Sequence, residues 1–133
     1  MKDFRLRCLD CDLTHDAGVV YLNCPHCGGL FDIEYEQDAQ ASLPRLPLSQ
    51  PHTKISLGEG TTPVVHLNTL SSQLGLDCLW AKLEYVSPTG SFKDRGSAVL
   101  ISAALEDGIT EFVEDSSGNA GASMTAFAAA AGL

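Results

Sequence analysis

Two cysteine pairs, Cys8-Leu9-Asp10-Cys11 and Cys24-Pro25-His26-Cys27, give the pattern C-x2-C-x12-C-x2-C near the start of the chain. No other feature limits what this region can fold into so tightly. Residues 1–35 hold short β-like runs at 4–6, 19–22 and 30–35, separated by cysteine-bearing turns. In the last run apolar and acidic residues alternate, as in a strand with one wet face. A unit of this size cannot fold on an apolar core alone and needs a staple. Met1-Lys2-Asp3-Phe4-Arg5-Leu6-Arg7 is followed by no apolar h-region, so the chain is expected in the cytoplasm. In a reducing compartment, paired cysteines favour a metal over disulfides. Four soft thiolates on two tight turns suit a tetrahedral zinc ion. Cys8, Cys11, Cys24 and Cys27 are therefore the expected ligands of a small zinc-ribbon-like β unit. A catalytic or redox metal is the competing reading, but four thiolates leave zinc no open position, so the ion is expected to be structural. Glycines follow Cys27, whereas the first knuckle lacks one. His15 and His26 are expected at the surface, and Cys78 is expected as an inert thiol on a buried strand.

The net charge of −9 counts against a nucleic-acid partner, because an acidic surface repels phosphates. No apolar run approaches a membrane span, so no membrane partner is expected. A small-molecule substrate fits this balance.

Residues 36–56 read as a linker, with Pro44, Pro47 and Pro51 breaking any helix or central strand. From residue 57 onward, strand and helix signals alternate. Strands are expected at 64–67, 78–85 and 111–114. Helices are expected at 68–74, at 91–107 and at 119–131, stopped by Gly75, Gly108 and Gly132. This order predicts an α/β region with a parallel sheet covered by helices in three layers. The two long helices are apolar or small nearly all round, which predicts burial on more than one side. Two or three strands cannot cover them, so the chain reads as cut short, and the uncovered helices suggest a homo-oligomer.

Two turns in residues 57–133 carry chemistry. Ser91-Phe92-Lys93-Asp94 can be a plain capping box, with Ser91 as cap, Asp94 reaching back and Lys93 solvated. Arg95 and Asp94 are expected to form a supporting ion pair. The other reading uses the lysine amine, which can form a Schiff base with an aldehyde cofactor. The positive end of a helix and partial burial both lower a lysine pKa and so suit that role. Ser116-Ser117-Gly118-Asn119-Ala120-Gly121 can likewise be a simple strand-to-helix turn, or an anion cradle at a helix start.

With Leu57-Gly58-Glu59-Gly60-Thr61-Thr62-Pro63, Pro88-Thr89-Gly90-Ser91-Phe92-Lys93-Asp94-Arg95-Gly96 and Ser116-Ser117-Gly118-Asn119-Ala120 in that order, the chain resembles the threonine synthase family. That family belongs to the tryptophan-synthase-β-like, fold type II enzymes that use pyridoxal 5'-phosphate, and some members carry an N-terminal cysteine-rich ribbon. The resemblance implies that Lys93 holds the cofactor and that Asn119 hydrogen-bonds its phenolic oxygen. It implies that Ser116, Ser117, Gly118, Asn119, Ala120 and Gly121 take up the substrate carboxylate. The implied reaction converts O-phosphohomoserine and water to threonine and phosphate. Ser87 stands where the family often has Asn, and Asp115, beside Glu114, stands where a small residue is common. Both bear on the amino-acid substrate more than on the cofactor. The family's phosphate-binding glycine loop is not in this sequence, so the 133 residues are expected to bind the cofactor poorly and not to turn over. Two other readings stay open. One is a dehydratase or cysteine-synthase-like reaction on the same lysine and asparagine turn. The other is a zinc-ribbon binding module without catalysis.

Overall fold

The computed structural model describes residues 2–35, 45–50 and 54–133, and the chain divides into two compact units, Met1–His52 and Thr53–Leu133. In the first unit, β1 (Phe4–Cys8) lies at the centre of a three-stranded antiparallel sheet between β2 (Thr14–Asp16) and β3 (Phe31–Tyr35). Leu6 sits opposite His15 on one side and Ile33 on the other. The expected strand at 19–22 is not formed, and the short β2 takes its place. Val20 and Leu22 are 78% and 93% exposed, so a ladder there would have had no core to cover. Among the described residues of this unit the buried apolar set is Phe4, Cys8, Ala17, Cys24 and Leu48.

Much of the expected linker at 36–56 lies outside the described residues. Its middle is not loose, since Leu48 is buried and the Arg45 carbonyl accepts the Tyr35 hydroxyl at 3.2 Å.

The second unit pairs β4 (Val64–His66) with β5 (Trp80–Lys82) in antiparallel register, Val65 opposite Ala81. Between them runs α1 (Asn68–Leu74), which Gly75 ends with a positive φ of 65°, as expected for a left-handed cap. The next two helices are α2 (Lys93–Glu106) and α3 (Asn119–Ala131). The parallel sheet expected here is not among the described residues, where both sheets are antiparallel and small. A parallel pair needs a crossover of a dozen or more residues that carries the chain back to the same edge. The two-turn α1 instead returns it in the opposite sense, and the Leu67 N–H donates to the Leu79 carbonyl at 2.9 Å. Residues 111–114 have no ladder partner among the described residues. Phe112 packs on the core, while Val113 is 95% exposed.

The core of this unit is the seam between α2 and α3: Ala98, Ile101, Met124, Phe127 and Ala128, with Ile55, Phe112, Ala131 and Leu133 against it. Each helix buries one face. Leu100 and Leu105 on α2 remain exposed, so the expected cover on several sides is not present among the described residues. The buried stripe of α2 includes Asp94, Ser97 and Ser102, so the seam is partly polar. No helix among the described residues is long and apolar enough to cross a membrane.

Candidate functional site

The four cysteines converge. Cys8 ends β1, and the two knuckles fold alike: the Asp12 N–H donates to the Cys8 carbonyl at 3.1 Å and the Gly28 N–H to the Cys24 carbonyl at 2.8 Å. Each pair is followed by a residue in the left-handed region, Asp12 at φ 59° and Gly28 at φ 79°. The missing glycine of the first knuckle is thus replaced by aspartate, one of the few residues that tolerate this conformation. The four sulfur atoms lie within 4.8 Å of one another, with Cys8–Cys27 at 3.4 Å and Cys11–Cys24 at 3.8 Å, and all four thiols are free. Sulfurs on a tetrahedral zinc at the usual bond length sit about 3.8 Å apart, so this donor set fits a four-thiolate metal ion.

Burial pushes the Cys8 thiol up, but the backbone N–H groups of Asp10 and Cys11 together with the Cys27 and Cys11 thiols outweigh it and bring it to about 7. The Gly29 N–H likewise favours a thiolate at Cys27, but its cysteine neighbours hold that thiol up at about 12. Thiols this close compete to ionise, and a cation in their midst removes the competition. His26 is exposed as expected, but His15 is half-buried, with Nε2 3.5 Å from Cys24 Sγ.

The second group of residues lies at the N-terminal ends of α2 and α3. Asp94 is fully buried there. Its carboxylate accepts hydrogen bonds from the Thr89 N–H at 2.8 Å, from the Thr89 hydroxyl and from the Ser123 hydroxyl at 2.6 Å. Ser123 is in turn hydrogen-bonded to Ser97 at 2.8 Å. Burial works against the Asp94 carboxylate, but the bonds from Ser123 and Thr89 win and hold its pKa below the usual range.

The expected pair between Asp94 and Arg95 does not form, because neighbours in a helix point about 100° apart. Arg95 reaches Glu84 with two bonds, at 2.8 and 2.9 Å, and the Thr62 hydroxyl at 3.1 Å. The guanidinium holds the Glu84 carboxyl below its ordinary value. Nor is the capping box reciprocal. The Ser91 hydroxyl accepts the Lys93 N–H at 3.3 Å, whereas Asp94 reaches back to Thr89.

Lys93 itself is exposed, and its ammonium lies 4.6 Å from the centre of the Phe92 ring. The partial burial expected of this side chain is therefore not found. Asn119 is also exposed, at the first position of α3. The Asp94–Ser123 bond joins the helix ends that carry these two side chains, since Ser123 is one turn beyond Asn119.

In the turn before α3, the Ser116 N–H donates to Glu114 and the Gly118 N–H to the Ser116 hydroxyl. The first intrahelical bond is from the Ala122 N–H to the Gly118 carbonyl at 3.2 Å, which leaves the N–H groups of Asn119, Ala120 and Gly121 without intrahelical acceptors. Such a helix start fits an anion. Gly121 is required by packing, since a Cβ there would lie 2.7 Å from the Ser116 carbonyl oxygen. Gly121→Ala is expected to push the 116–118 turn off α3 and cost about 1–3 kcal/mol, read by chemical unfolding of the second unit. The Ser87 hydroxyl, at the head of the lysine turn, is buried with no partner among the described residues. Cys78 is exposed rather than in the core, and accepts the Trp80 indole N–H at 2.7 Å. It precedes β5 instead of lying on it.

Two more residues escaped the sequence reading. Glu59 is buried in the 57–63 turn, paired with Lys54 and bound by the Ser56 hydroxyl at 2.8 Å and the Leu57 N–H at 3.0 Å. Burial raises its pKa, but Lys54 and these donors bring it below the ordinary value. Thr62 joins the same turn to α2 through Arg95. Glu59 between two glycines gave no periodic signal. Only its three donors mark it.

A lysine and a Ser/Gly/Asn turn thus stand at the starts of two helices packed on each other in a small α/β unit, and the comparison with known families gives its class. The family model described as Pyridoxal-phosphate dependent enzyme matches residues 55–133, and the chain belongs to that family. Over 143 aligned residues it is 34% identical to the threonine synthase of Methanocaldococcus jannaschii, covering 95% of this chain and 35% of that protein. It is 29% identical to the threonine synthase of Methanosarcina acetivorans, covering 98% of this chain and 35% of that protein. A threonine synthase from Bacillus sp. (strain ULM1) is 42% identical over 88 residues. The chain thus spans about a third of the length of the two archaeal relatives. No solved structure matches it.

Proposed function

We propose that residues 57–133 are the N-terminal part of a threonine-synthase-type lyase, joined through the 36–56 linker to a structural zinc ribbon at 1–35. The reaction is that of O-phosphohomoserine with water to give threonine and phosphate. It runs in the cytoplasm, where the four thiols stay reduced. The lysine turn, the asparagine turn and the relatives named threonine synthase support this reading over a dehydratase or cysteine-synthase-like reaction on the same residues. The observation that carries it is the Asp94–Ser123 bond, which ties the turn bearing Lys93 to the helix start bearing Asn119. The parallel three-layer sheet of fold type II belongs to this proposal, with residues 111–114 as one of its strands.

Bound pyridoxal phosphate supplies the electron sink that such chemistry needs. Lys93 would hold the cofactor through its amine, and the same amine would serve as the acid/base group at the substrate carbon. Asn119 would donate its side-chain N–H to the cofactor's phenolic oxygen. The hydroxyls of Ser116 and Ser117 and the N–H groups from Gly118 through Ala120 to Gly121 bind the substrate carboxylate, aided by the positive end of α3. Asp94 touches none of these groups and acts by position, because its bonds to Thr89 and Ser123 fix the backbone on either side of the site.

The test is incubation of the 133-residue chain with excess pyridoxal phosphate, reduction with borohydride and mapping of the labelled lysine. The chain has four lysines. Lys54 is paired with Glu59 and Lys82 with the Thr62 carbonyl, so within the Thr53–Leu133 unit label is expected mainly on Lys93, with Lys2 of the other unit as the background. Equal labelling of all four, or label unaffected by Lys93→Ala, sinks the assignment. Because the archaeal relatives are about three times as long, no phosphate release from O-phosphohomoserine is expected from this chain alone. Steady release would show that these residues suffice.

A further inference from the structure

Backbone N–H groups of Asp10 and Cys11 are aimed at Cys8, that of Leu13 at Cys11 and that of Gly29 at Cys27. Cys24 is the sulfur that meets a side-chain donor, His15 Nε2 at 3.5 Å. The imidazole is held from two sides. Tyr21 packs against it edge-on with ring centres 5.5 Å apart, and Phe31 does the same at 5.3 Å. β2 fixes the backbone beneath, with His15 opposite Leu6 of β1. His15 is thus neither a loose surface residue nor in the way of the four ligands.

A metal-bound cysteine is a thiolate and carries no proton to give. Of the two atoms in this contact, only the imidazole nitrogen can supply the hydrogen. A zinc ion with four thiolates keeps a net charge of about −2, and Cys24 is buried. A donor aimed at that sulfur draws off part of the charge and keeps the sulfur on the metal.

We propose that His15 is a positioning residue of the metal centre: its Nε2–H donates to the Cys24 thiolate and slows loss of the ion. The inference rests on the reading of the four thiolates as a zinc site, and the experiment separates the two. The 133-residue chain is first titrated with cobalt(II). Uptake of one equivalent with the absorption of a four-thiolate site supports the zinc reading, and no uptake sinks that reading itself. The zinc-loaded chain is then challenged with an excess chelator, and its affinity is measured in zinc buffers.

His15→Phe keeps an aromatic ring between Tyr21 and Phe31 but removes the donor. Its zinc affinity is expected to fall by about 10- to 100-fold, with correspondingly faster release. Tyr21→Leu loosens the same packing and leaves the donor, so it should retain zinc nearly as the parent chain does. Equal retention in His15→Phe and the parent overturns the proposal. So does a loss in Tyr21→Leu as large as in His15→Phe, since packing would then explain both. Cobalt absorption typical of three thiolates and one nitrogen in the parent chain also overturns it, because His15 would then be a ligand in place of a cysteine. Should His15→Phe fail to fold even with metal, His15→Gln, which keeps an N–H donor, decides: parent-like retention supports the donor role, and loss equal to that of a His15→Ala chain refutes it.

Discussion

A Cys8→Ser variant is expected to lose the metal and, with it, the fold of the Met1–His52 unit, while α2 and α3 keep theirs. Cys8 closes β1 and is fully buried, so its sulfur is at once a ligand and part of the packing. Among the described residues the other buried apolar side chains of that unit are Phe4, Ala17, Cys24 and Leu48, too little surface to offset the entropy of ordering its three strands and two knuckles. In such a unit the free energy of metal binding is the free energy of folding. The hydroxyl of serine is a harder and poorer ligand for zinc than a thiolate, and it leaves three donors where four converged. Amide hydrogen exchange of β1 and β3 is the measurement. Protection should collapse in the variant, and in the parent chain once an excess of chelator is added. The amides of α2 and α3 should not change. Full protection of β1 in metal-free chain would show that the small core holds by itself.

An Asp94→Ala chain is expected to lose about 3–5 kcal/mol of stability in the second unit, read by denaturant unfolding. The carboxylate is fully buried and binds three donors, so its removal strands Thr89 and opens a hole where α2 meets α3. Asp94→Asn keeps the shape but turns an amide N–H toward one of those donors, and about 2 kcal/mol is expected to be lost.

The pH dependence follows from the same bonds. Burial opposes the Asp94 charge, Ser123 and Thr89 favour it more, and the folded pKa lies below the unfolded one. Its stabilisation is therefore complete above the unfolded value of about 3.9 and fades as pH falls through the lower folded value. Glu59 and Glu84 are depressed in the same direction, so the whole unit should weaken in acid. The gap between the parent and Asp94→Asn isolates one carboxyl, and it should narrow as the solution is acidified. A gap that stays constant would mean that the Asp94 pKa is the same in the folded and unfolded chain, and a gap that grows would mean that burial raises it.

Lys93 is also expected to be the lysine that pyridoxal phosphate labels, and that expectation depends on Asp94. If Asp94 holds the turn from Thr89 to Lys93 in place, labelling of Lys93 should become less selective in Asp94→Asn while Lys93 itself is unchanged. The two experiments thus separate the group that reacts from the group that places it.

Local chemistry was readable where a residue acts through its own backbone. The glycine stops at Gly75 and Gly132 fall where expected, because a left-handed cap requires nothing from the rest of the fold. The C-x2-C knuckles are local too, and they bring the four thiols together as expected. Other readings failed where a distant partner decides. Cys78 was expected to be buried because the strand around it is apolar, but β5 begins two residues later. The strand expected at 111–114 has its alternation, with Phe112 inward and Val113 outward, but no neighbour among the described residues to complete a ladder.

By itself the sequence determined which chemical groups are present and how the chain turns around them: four thiols on two knuckles, a lysine at one helix start and a Ser/Gly/Asn turn at another. Only the tertiary structure decided which of those groups face inward. Lys93 and Asp94 are adjacent, and the lysine is the more conspicuous chemically, yet Asp94 is buried and Lys93 is exposed. Successive side chains on a helix diverge by about 100°, so the face that packs on α3 can take one of the two and must expose the other. His15 became a neighbour of Cys24 in the same way, through the pairing of β2 with β1 rather than through any spacing along the chain.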